Sequence, residues 1–295
     1  MSRVLVTGAA GLLGRHVVSL LGTQGWSVVG LVMTAADAPP GLDAVVEGNA
    51  ADPAVARRAV SGIDAVVHLA AIPAPTLGTN EVVFGQNTLA TFCILDAAAD
   101  ADVSRVVIAS SIAAAGLSFS PYRAAPPYLP IDEEVATQAA DPYALSKITD
   151  EQTAAMMSRR SGMTTTALRF PFLGTPADRL GEHAALVAAK PDAGRQDVWC
   201  YLDSRDAARA ISLSLGRTAG DSVVIGVAAP ENLSPYPTEA LLDAYLPDVP
   251  RRRPMPGRST AMDLTRAEAV LGFHAEHVLP VQPRDLTSRS AEEQA

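Results

Sequence analysis

The sequence predicts an α/β fold: a doubly wound parallel sheet with a small lobe in the C-terminal part of the chain. Two patterns in residues 1–170 lead to this prediction. Short apolar runs alternate with longer stretches of helical period, which is typical of βαβ units. The runs are apolar throughout, as expected for strands that helices cover on both faces of a sheet. A length of 295 residues and a hydrophobic fraction of 48% are sufficient for a large core.

The predicted strands and helices alternate in regular order along the chain. The strands are 3–7, 27–32, 44–47, 65–69, 105–110, 164–169 and 222–225. The helices are 12–21, 53–60, 80–99, 142–161, 203–215, 238–245 and 263–271. The fourth helix has the clearest start, because Asp141 is a suitable cap and Pro142 suits the first turn.

The regular pattern loosens after Arg169 into segments that Pro and Gly interrupt. We therefore expect the sheet domain to comprise 1–170 and to receive about 199–227 as well. The small lobe is predicted from 171–198 and 228–283. The polar residues 284–295 are predicted to form a flexible tail.

Charge and cysteine content exclude several classes of protein. The chain has 23 Lys and Arg against 32 Asp and Glu, a net charge of −9, whereas nucleic-acid binding needs clustered positive charge. Cys93 and Cys200 stand alone, so neither a disulfide framework nor a zinc site is indicated. His274 and His277 have no further ligands beside them, so we assign them no metal. Because every apolar run is interrupted early, we expect a cytoplasmic protein without a membrane partner.

Three glycines lie between the first predicted strand and the first predicted helix. Gly8 allows a tight turn, Gly11 lets the backbone approach a pyrophosphate, and Gly14 lets the helix pack closely on the strand. The helix N-terminus adds free amides and a positive dipole, which favour phosphate. We therefore predict a dinucleotide site with contacts from Gly8, Gly11, Leu12, Leu13 and Gly14.

This glycine loop and two further segments resemble the extended short-chain dehydrogenase/reductases, the NAD-dependent epimerase/dehydratase family. The spacing Gly-x-x-Gly-x-x-Gly after Thr7 is similar to the family's loop. Residues 48–52 resemble its Gly-Asp-x-x-Asp element near the adenine, and residues 64–71 resemble its fourth-strand signature. The resemblance covers about residues 3–273 and implies a Rossmann fold. It also implies cofactor contacts from Asn49, which stands where the family usually has Asp, and from Ala50, Leu69, Ala70 and Ala71.

Tyr143 and Lys147 form a candidate catalytic pair. Their spacing of four places both on one face of the predicted helix 142–161. A phenol has an ordinary pKa of about 10, and a neighbouring cation favours the phenolate, which makes Tyr143 a usable acid and base. The chain has two lysines against 21 arginines, so a chance cation at this position would usually be Arg. A compact ammonium also tunes a phenol in a way that a guanidinium does not.

The family resemblance adds Ser111 and Asn87 to the candidate catalytic residues. It implies that Ser111 polarises the substrate oxygen, Tyr143 transfers the proton, and Lys147 contacts the cofactor ribose. Asn87 matches the family's helix-four Asn, which belongs to a water-linked proton relay. Ser111 also follows a predicted strand, and ligands of doubly wound folds bind at that edge of the sheet. Asn87, Tyr143 and Lys147 are thus also predicted cofactor contacts.

The residues after the second strand bear on the choice between NAD and NADP. An acidic residue there favours NAD, and an Arg favours NADP. The run reads Leu31-Val32-Met33-Thr34 and contains neither. Because no carboxylate at this position repels a phosphate, and Arg15 is near enough to pair with one, the sequence slightly favours NADP.

Departures from the family's sequence pattern narrow the range of reactions that we expect for this chain. Sugar-nucleotide dehydratases carry Thr-Asp-Glu after the serine, where this chain has Ile-Ala-Ala at 112–114. Sugar-nucleotide epimerases place an Asn shortly after the arginine that corresponds to Arg169, and this chain lacks it. The first interpretation is therefore an NAD(P)-dependent dehydrogenase or ketoreductase. Its small-molecule substrate would be a carbonyl or secondary alcohol without a nucleotide, such as a secondary metabolite or sugar acid.

Two alternative functions stay open. A UDP- or TDP-sugar 4-epimerase is favoured by the overall resemblance and by a cationic cluster that could face a diphosphate. The cluster comprises Arg251, Arg252, Arg253 and Arg258. A non-catalytic dinucleotide sensor is disfavoured by the intact Ser, Tyr and Lys set. The resemblance also implies a homodimer.

Overall fold

The computed structural model describes residues 2–286 and contains a seven-stranded sheet with helices between its strands. The strands are β1 (Arg3–Thr7), β2 (Ser27–Val32), β3 (Ala44–Glu47), β4 (Ala65–His68), β5 (Arg105–Ser111), β6 (Thr164–Phe170), β7 (Phe172–Gly174), β8 (Tyr201–Asp203) and β9 (Ser222–Gly226). The helices are α1 (Leu12–Thr23), α2 (Pro53–Ala59), α3 (Asn80–Asp100), α4 (Pro142–Ser161), α5 (Arg179–Ala189), α6 (Ser204–Ser214), α7 (Thr238–Tyr245) and α8 (Thr265–Leu271). All the predicted strands and helices are present, with ends within two residues of the predicted ones.

The strand order of the large sheet confirms the doubly wound Rossmann fold. It runs β3-β2-β1-β4-β5-β6-β9, and β1 pairs in parallel with both β2 and β4. The order reverses between β1 and β4, and folds of this kind bind ligands at that switch point, beyond the carboxyl ends of the strands. The glycine loop follows β1 and therefore lies at the switch point.

The chain divides into two compact units. The first comprises the described residues up to Ser111 together with Asp141–Arg169 and Ala208–Ile225, and it contains the large sheet. The second comprises Ile112–Ala140, Phe170–Ala207 and the described residues from Gly226. Residues 112–140 and 199–207 thus group with the second unit, whereas the sequence analysis assigned them to the sheet domain. Most of the predicted tail, 287–295, lies outside the described residues.

The second unit contains three elements that the sequence analysis did not predict. Strands β7 and β8 form a two-stranded parallel sheet with three residues each, which is too short for a hydrophobic period to show. Helix α5 lies between these strands in the chain, in a segment where nearby prolines suggested a loop. The core of this unit is built around the buried side chains of Trp199, Tyr201 and Leu241.

Helix α3 is the one helix among residues 2–286 that has the length and composition to cross a membrane. Half of its most apolar window is buried inside the protein. Val83, Ile94 and Leu95 are fully buried, and α3 packs along α4. In this structure α3 is a core helix of the first unit.

Candidate cofactor site and catalytic constellation

The turn between β1 and α1 requires glycine at two positions. Gly8 has a φ of +65°, and a Cβ there would lie 2.9 Å from the Ala70 amide nitrogen. A Cβ on Gly14 would lie 2.3 Å from the Gly8 carbonyl oxygen, so α1 packs against the loop only because this residue has no side chain. Gly11 caps α1 without a side-chain hydrogen bond, which leaves the first-turn amides available to a phosphate.

A cavity of about 710 Å³ opens at this helix N-terminus, within the first unit. Nine of the predicted cofactor residues line it: Gly8, Gly11, Arg15, Asn49, Ala50, Leu69, Ala70, Ala71 and Asn87. The five other predicted contacts do not line it: Leu12, Leu13, Gly14, Tyr143 and Lys147. The volume is within the range of small-molecule sites, roughly 300–1,000 Å³. A glycine-lined cavity at a helix N-terminus therefore fits a dinucleotide.

The cavity wall also includes residues that the sequence analysis missed, and Asp37 is the one that carries charge. The full set is Ala10, Leu31, Val32, Met33, Asp37, Gly48, Ile72, Gln86 and Ala90. Asp37 lies in a short helical turn, Ala35–Asp37, five residues beyond the end of β2. A search confined to the strand end does not find it, because the turn brings it back to the cavity.

Arg15 and Asn49 are both held by contacts to the protein. The Arg15 guanidinium donates to the Ala10 carbonyl at 2.9 Å and to the Asp37 carbonyl at 3.4 Å. The Asn49 side chain accepts from the Ala51 amide at 2.9 Å and donates to Gln86 at 3.0 Å. An Asp in place of Asn49 could accept the first bond but could not donate the second.

A buried threonine and histidine fix the segment after β4 that lines the cavity. The Thr7 hydroxyl accepts from the Leu69 and Ala70 amides, each at 3.1 Å, and lies 2.9 Å from His68 Nδ1. Because the hydroxyl already accepts two bonds, it donates its proton to Nδ1. The His68 proton is therefore assigned to Nε2, which lies 3.2 Å from the Thr91 hydroxyl. Burial, with a smaller contribution from the Lys147 charge, lowers the pKa of His68 to about 3. The ring is therefore neutral near pH 7.

Helix α4 positions Tyr143 and Lys147. Asp141 caps the helix by accepting from the Ala144 amide at 2.8 Å. Tyr143 is 8% exposed and Lys147 4%, and the Lys147 ammonium lies 5.8 Å from the centre of the Tyr143 ring. The ammonium donates to the Ala109 carbonyl of β5 at 3.0 Å. Two buried groups, an ammonium and a phenol, thus share one face of α4, as the spacing predicted.

Asn87 joins three parts of the first unit. Its side-chain oxygen accepts from the Ile72 amide at 2.7 Å, and its nitrogen donates to the Ile72 carbonyl and the Ser146 hydroxyl, each at 3.1 Å. The Ser146 hydroxyl in turn donates to the Tyr143 carbonyl at 2.8 Å. These bonds connect α3, the cavity wall and the first turn of α4. Asn87 therefore positions the helix that carries Tyr143.

Ser111 is the last residue of β5, the strand whose Ala109 carbonyl binds Lys147. The preceding Ser110 donates to Glu151 at 2.6 Å and is buried. Only the second of the two serines thus stands at the carboxyl end of the strand. The structure places Ser111, Tyr143 and Lys147 in the first unit together with the glycine loop.

The arginine cluster lies in the second unit and is paired with carboxylates. Arg251 binds Glu239 and Asp243, and Arg252 lies 3.2 Å from Asp132. The other two pairs are Arg253 with Asp263 at 3.1 Å and Arg258 with Glu231 at 2.9 Å. Each of the four guanidiniums already has a counter-ion.

The two C-terminal histidines have carboxylate neighbours. His277 Nδ1 lies 3.2 Å from the buried Asp206, and His274 Nε2 lies 3.6 Å from Glu268. Asp206 also accepts from the Glu276 and His277 amides. Among residues 2–286, no group of three or more His, Cys, Asp or Glu side chains is arranged to hold a metal ion.

Comparison with known proteins shows which family the sequence matches. The model of the NAD dependent epimerase/dehydratase family matches residues 4–226. A UDP-glucose 4-epimerase of Azospirillum brasilense is 31% identical over 210 residues, 66% of this chain and 58% of that enzyme. This chain therefore spans less than two thirds of that relative. An L-arabinose 1-dehydrogenase (NAD(P)(+)) of Haloferax volcanii is 32% identical over 188 residues, 62% of this chain and 71% of that enzyme.

Two solved structures are similar in fold to this chain. MoeE5 in complex with UDP-glucose and NAD is 25% identical, with a TM-score of 0.71 over 94% of this chain and 95% of that chain. A short-chain dehydrogenase/reductase superfamily protein from Agrobacterium tumefaciens with bound NAD is also 25% identical. Its TM-score is 0.68 over 99% of this chain and 95% of that chain.

Proposed function

The chain belongs to the NAD-dependent epimerase/dehydratase family, and on that premise we propose that it is an NAD(P)-dependent oxidoreductase. It would transfer hydride between a nicotinamide ring and a carbon that bears a hydroxyl or carbonyl group. The single observation that supports this best is the buried Lys147 ammonium 5.8 Å from the Tyr143 ring, in the unit that contains the glycine-lined cavity. A silent dinucleotide sensor would not need that pair.

Each residue of the constellation has a defined task in this reaction. The cofactor, when bound, supplies or accepts the hydride, which is the difficult part of the chemistry. Tyr143 takes the proton from the substrate hydroxyl during oxidation and returns it during reduction. Lys147 favours the phenolate by its charge, and Ser111 donates to the substrate oxygen. The Asn87 bonds to Ser146 and Ile72 keep α4 in place against the cavity wall.

The paired arginines favour a substrate without a nucleotide. A diphosphate needs cationic groups that are available for it, and Arg251, Arg252, Arg253 and Arg258 are each bound to a carboxylate. The family's Asn after Arg169 is also absent. We therefore propose a dehydrogenase or ketoreductase of a small alcohol or carbonyl, the class to which the Haloferax relative belongs. The second candidate, a UDP-sugar 4-epimerase, is supported by the Azospirillum relative, and the MoeE5 structure contains UDP-glucose beside NAD.

Ligand stabilisation and turnover distinguish these candidates. We expect NAD or NADP to raise the unfolding temperature, and UDP or TDP to leave it unchanged. We also expect a panel of aldoses, sugar acids and aromatic ketones to contain a substrate that changes the absorbance of the reduced nicotinamide. Stabilisation by UDP together with interconversion of UDP-glucose and UDP-galactose would establish the epimerase instead. Binding of NAD or NADP without turnover of any panel member would favour the dinucleotide sensor.

Asp37 supplies the carboxylate that the end of β2 lacks, and it changes the expected cofactor preference. Arg15 and Asp37 both line the cavity, and the Arg15 guanidinium is already engaged by the Ala10 and Asp37 carbonyls. A carboxylate beside the adenosine ribose accepts from its hydroxyls and repels a 2′-phosphate. We therefore expect NAD to bind about tenfold more tightly than NADP, roughly 1.4 kcal/mol.

Calorimetric titration of NAD and NADP tests this preference. Asp37→Asn should remove most of the difference by improving NADP binding. Asp96→Asn is the matched control, because Asp96 pairs with Arg160 on the surface and does not line the cavity. Equal affinity of the wild-type protein for the two cofactors would refute the role given to Asp37.

A further inference from the structure

Helix α4 carries a buried carboxylate that the proposed reaction does not use. Asp150 stands one turn after Lys147, and its side chain is 2% exposed. One carboxylate oxygen, Oδ2, lies 3.2 Å from the Lys147 ammonium. The Thr91 hydroxyl on α3 also stabilises the charged form of this carboxylate. Burying a carboxylate costs free energy unless the charge is paired and hydrogen-bonded.

The Lys147 ammonium has two of its three donors accounted for within the first unit. One goes to the Ala109 carbonyl at 3.0 Å and one to Asp150 at 3.2 Å. An ammonium has three donors in a fixed tetrahedral arrangement, so two anchored bonds determine where the third points. A buried ammonium without a counter-ion loses its proton readily, because desolvation disfavours the charged form.

The other ionisable groups around Lys147 do not supply that counter-ion. Both carboxylate oxygens of Glu151 accept from the Arg169 guanidinium at 2.8 Å, and one of them also accepts from the Ser110 hydroxyl. His68 on β4 is neutral near pH 7, as its two threonine contacts and its burial require. Tyr143 presents a phenol ring and not a carboxylate to the ammonium, with the ring centre 5.8 Å away. Asp150 is the remaining carboxylate in contact.

We propose that Asp150 is a positioning residue: it is the counter-ion that keeps the Lys147 ammonium protonated and orients its third donor. Its catalytic meaning rests on the proposed function, since only a Tyr143 reaction requires a charged Lys147. The pair is mutually dependent, because the Lys147 ammonium is the cation that Asp150 contacts. Without Asp150, the ammonium would keep only a backbone carbonyl as partner.

The charge effects in the structure agree with this assignment. Burial lowers the pKa of Lys147, but the charge and hydrogen bond of Asp150, with contributions from Tyr143 and Glu151, outweigh it, so the pKa lies above the ordinary value. Burial raises the pKa of the Asp150 carboxyl, and the Lys147 charge draws it partly back. Loss of Asp150 removes the largest of the effects that oppose burial, so the pKa of Lys147 should fall.

The lysine content of the chain permits a direct measurement. Lys147 and Lys190 are its two lysines, and Lys190 is exposed. Protein labelled with ¹³C at the lysine ε position should thus give two side-chain signals, and Lys190→Arg assigns them. In the wild-type protein, the Lys147 signal should titrate at higher pH than the Lys190 signal. In Asp150→Asn, the protonation constant of Lys147 should fall at least tenfold while that of Lys190 stays unchanged.

Two further variants supply a surface control and a substitute for the Asn variant. Asp96→Asn makes the same chemical change on the surface and should leave both lysine signals as they are. Asp150→Ala serves if the Asn variant does not fold. The proposal is wrong if Lys147 in wild-type protein titrates no higher than Lys190, or if Asp150 variants titrate like wild type. The measurement needs neither substrate nor cofactor, so failure to find an oxidoreductase activity would not change its outcome.

Discussion

Replacement of Tyr143 by Phe should lower turnover about a thousandfold, since positioned acid–base groups contribute roughly 10²–10⁴-fold. The change removes one oxygen and keeps the ring, which is 8% exposed beside the Lys147 ammonium. Packing of α4 should therefore persist. Without the phenol, the substrate hydroxyl loses the group that takes its proton during hydride transfer. Affinity for the cofactor should stay within about threefold, because Tyr143 does not line the cavity.

Steady-state rates, cofactor titration and thermal unfolding together test this prediction. Tyr122→Phe is the matched control, because it deletes the same atom from a side chain that is 83% exposed. The control should keep wild-type turnover. If Tyr143→Phe turns over the true substrate at the wild-type rate, another group transfers the proton and the proposed mechanism fails. A loss of turnover with a large fall in unfolding temperature would instead show that the phenol is needed for folding.

The first unit was predictable because its signals are local. Strands β1, β2 and β3 have the predicted ends, since each is a short run rich in valine and other apolar residues. The glycine loop and the Tyr143–Lys147 spacing are short motifs whose geometry follows from a turn and one helical face. Such features depend little on the rest of the chain.

The features that escaped prediction depend on residues far apart in sequence. Asp37 reaches the cavity through the turn after β2, not through its position at a strand end. Arg258 appeared as part of a cationic cluster, but folding brings Glu231 to 2.9 Å from its guanidinium. Asp150 gave no sequence signal, because its role depends on the burial of Lys147 against β5. The number of charges in the sequence therefore does not show which charged groups are paired in the folded chain.

Replacement of Glu151 by Ala should lower the free energy of unfolding by about 3–5 kcal/mol, the usual cost of breaking a buried ion pair from one side. Glu151 accepts two bonds from Arg169 on β6, each at 2.8 Å, and one from Ser110 on β5 at 2.6 Å. The side chains of the pair are 5% and 13% exposed. Its loss removes the carboxylate that binds the guanidinium between α4 and the sheet.

Denaturant unfolding measures this cost against a surface pair. Glu134 lies 2.7 Å from Arg266, but its side chain is 73% exposed, so Glu134→Ala should cost less than about 1 kcal/mol. A Glu151→Ala cost as small as that would mean that water screens the buried pair. The double variant Glu151→Met/Arg169→Met should be less destabilised than Glu151→Ala, because two apolar side chains leave no orphaned charge. If the double variant is the less stable of the two, the ion pair itself stabilises the junction of α4, β5 and β6.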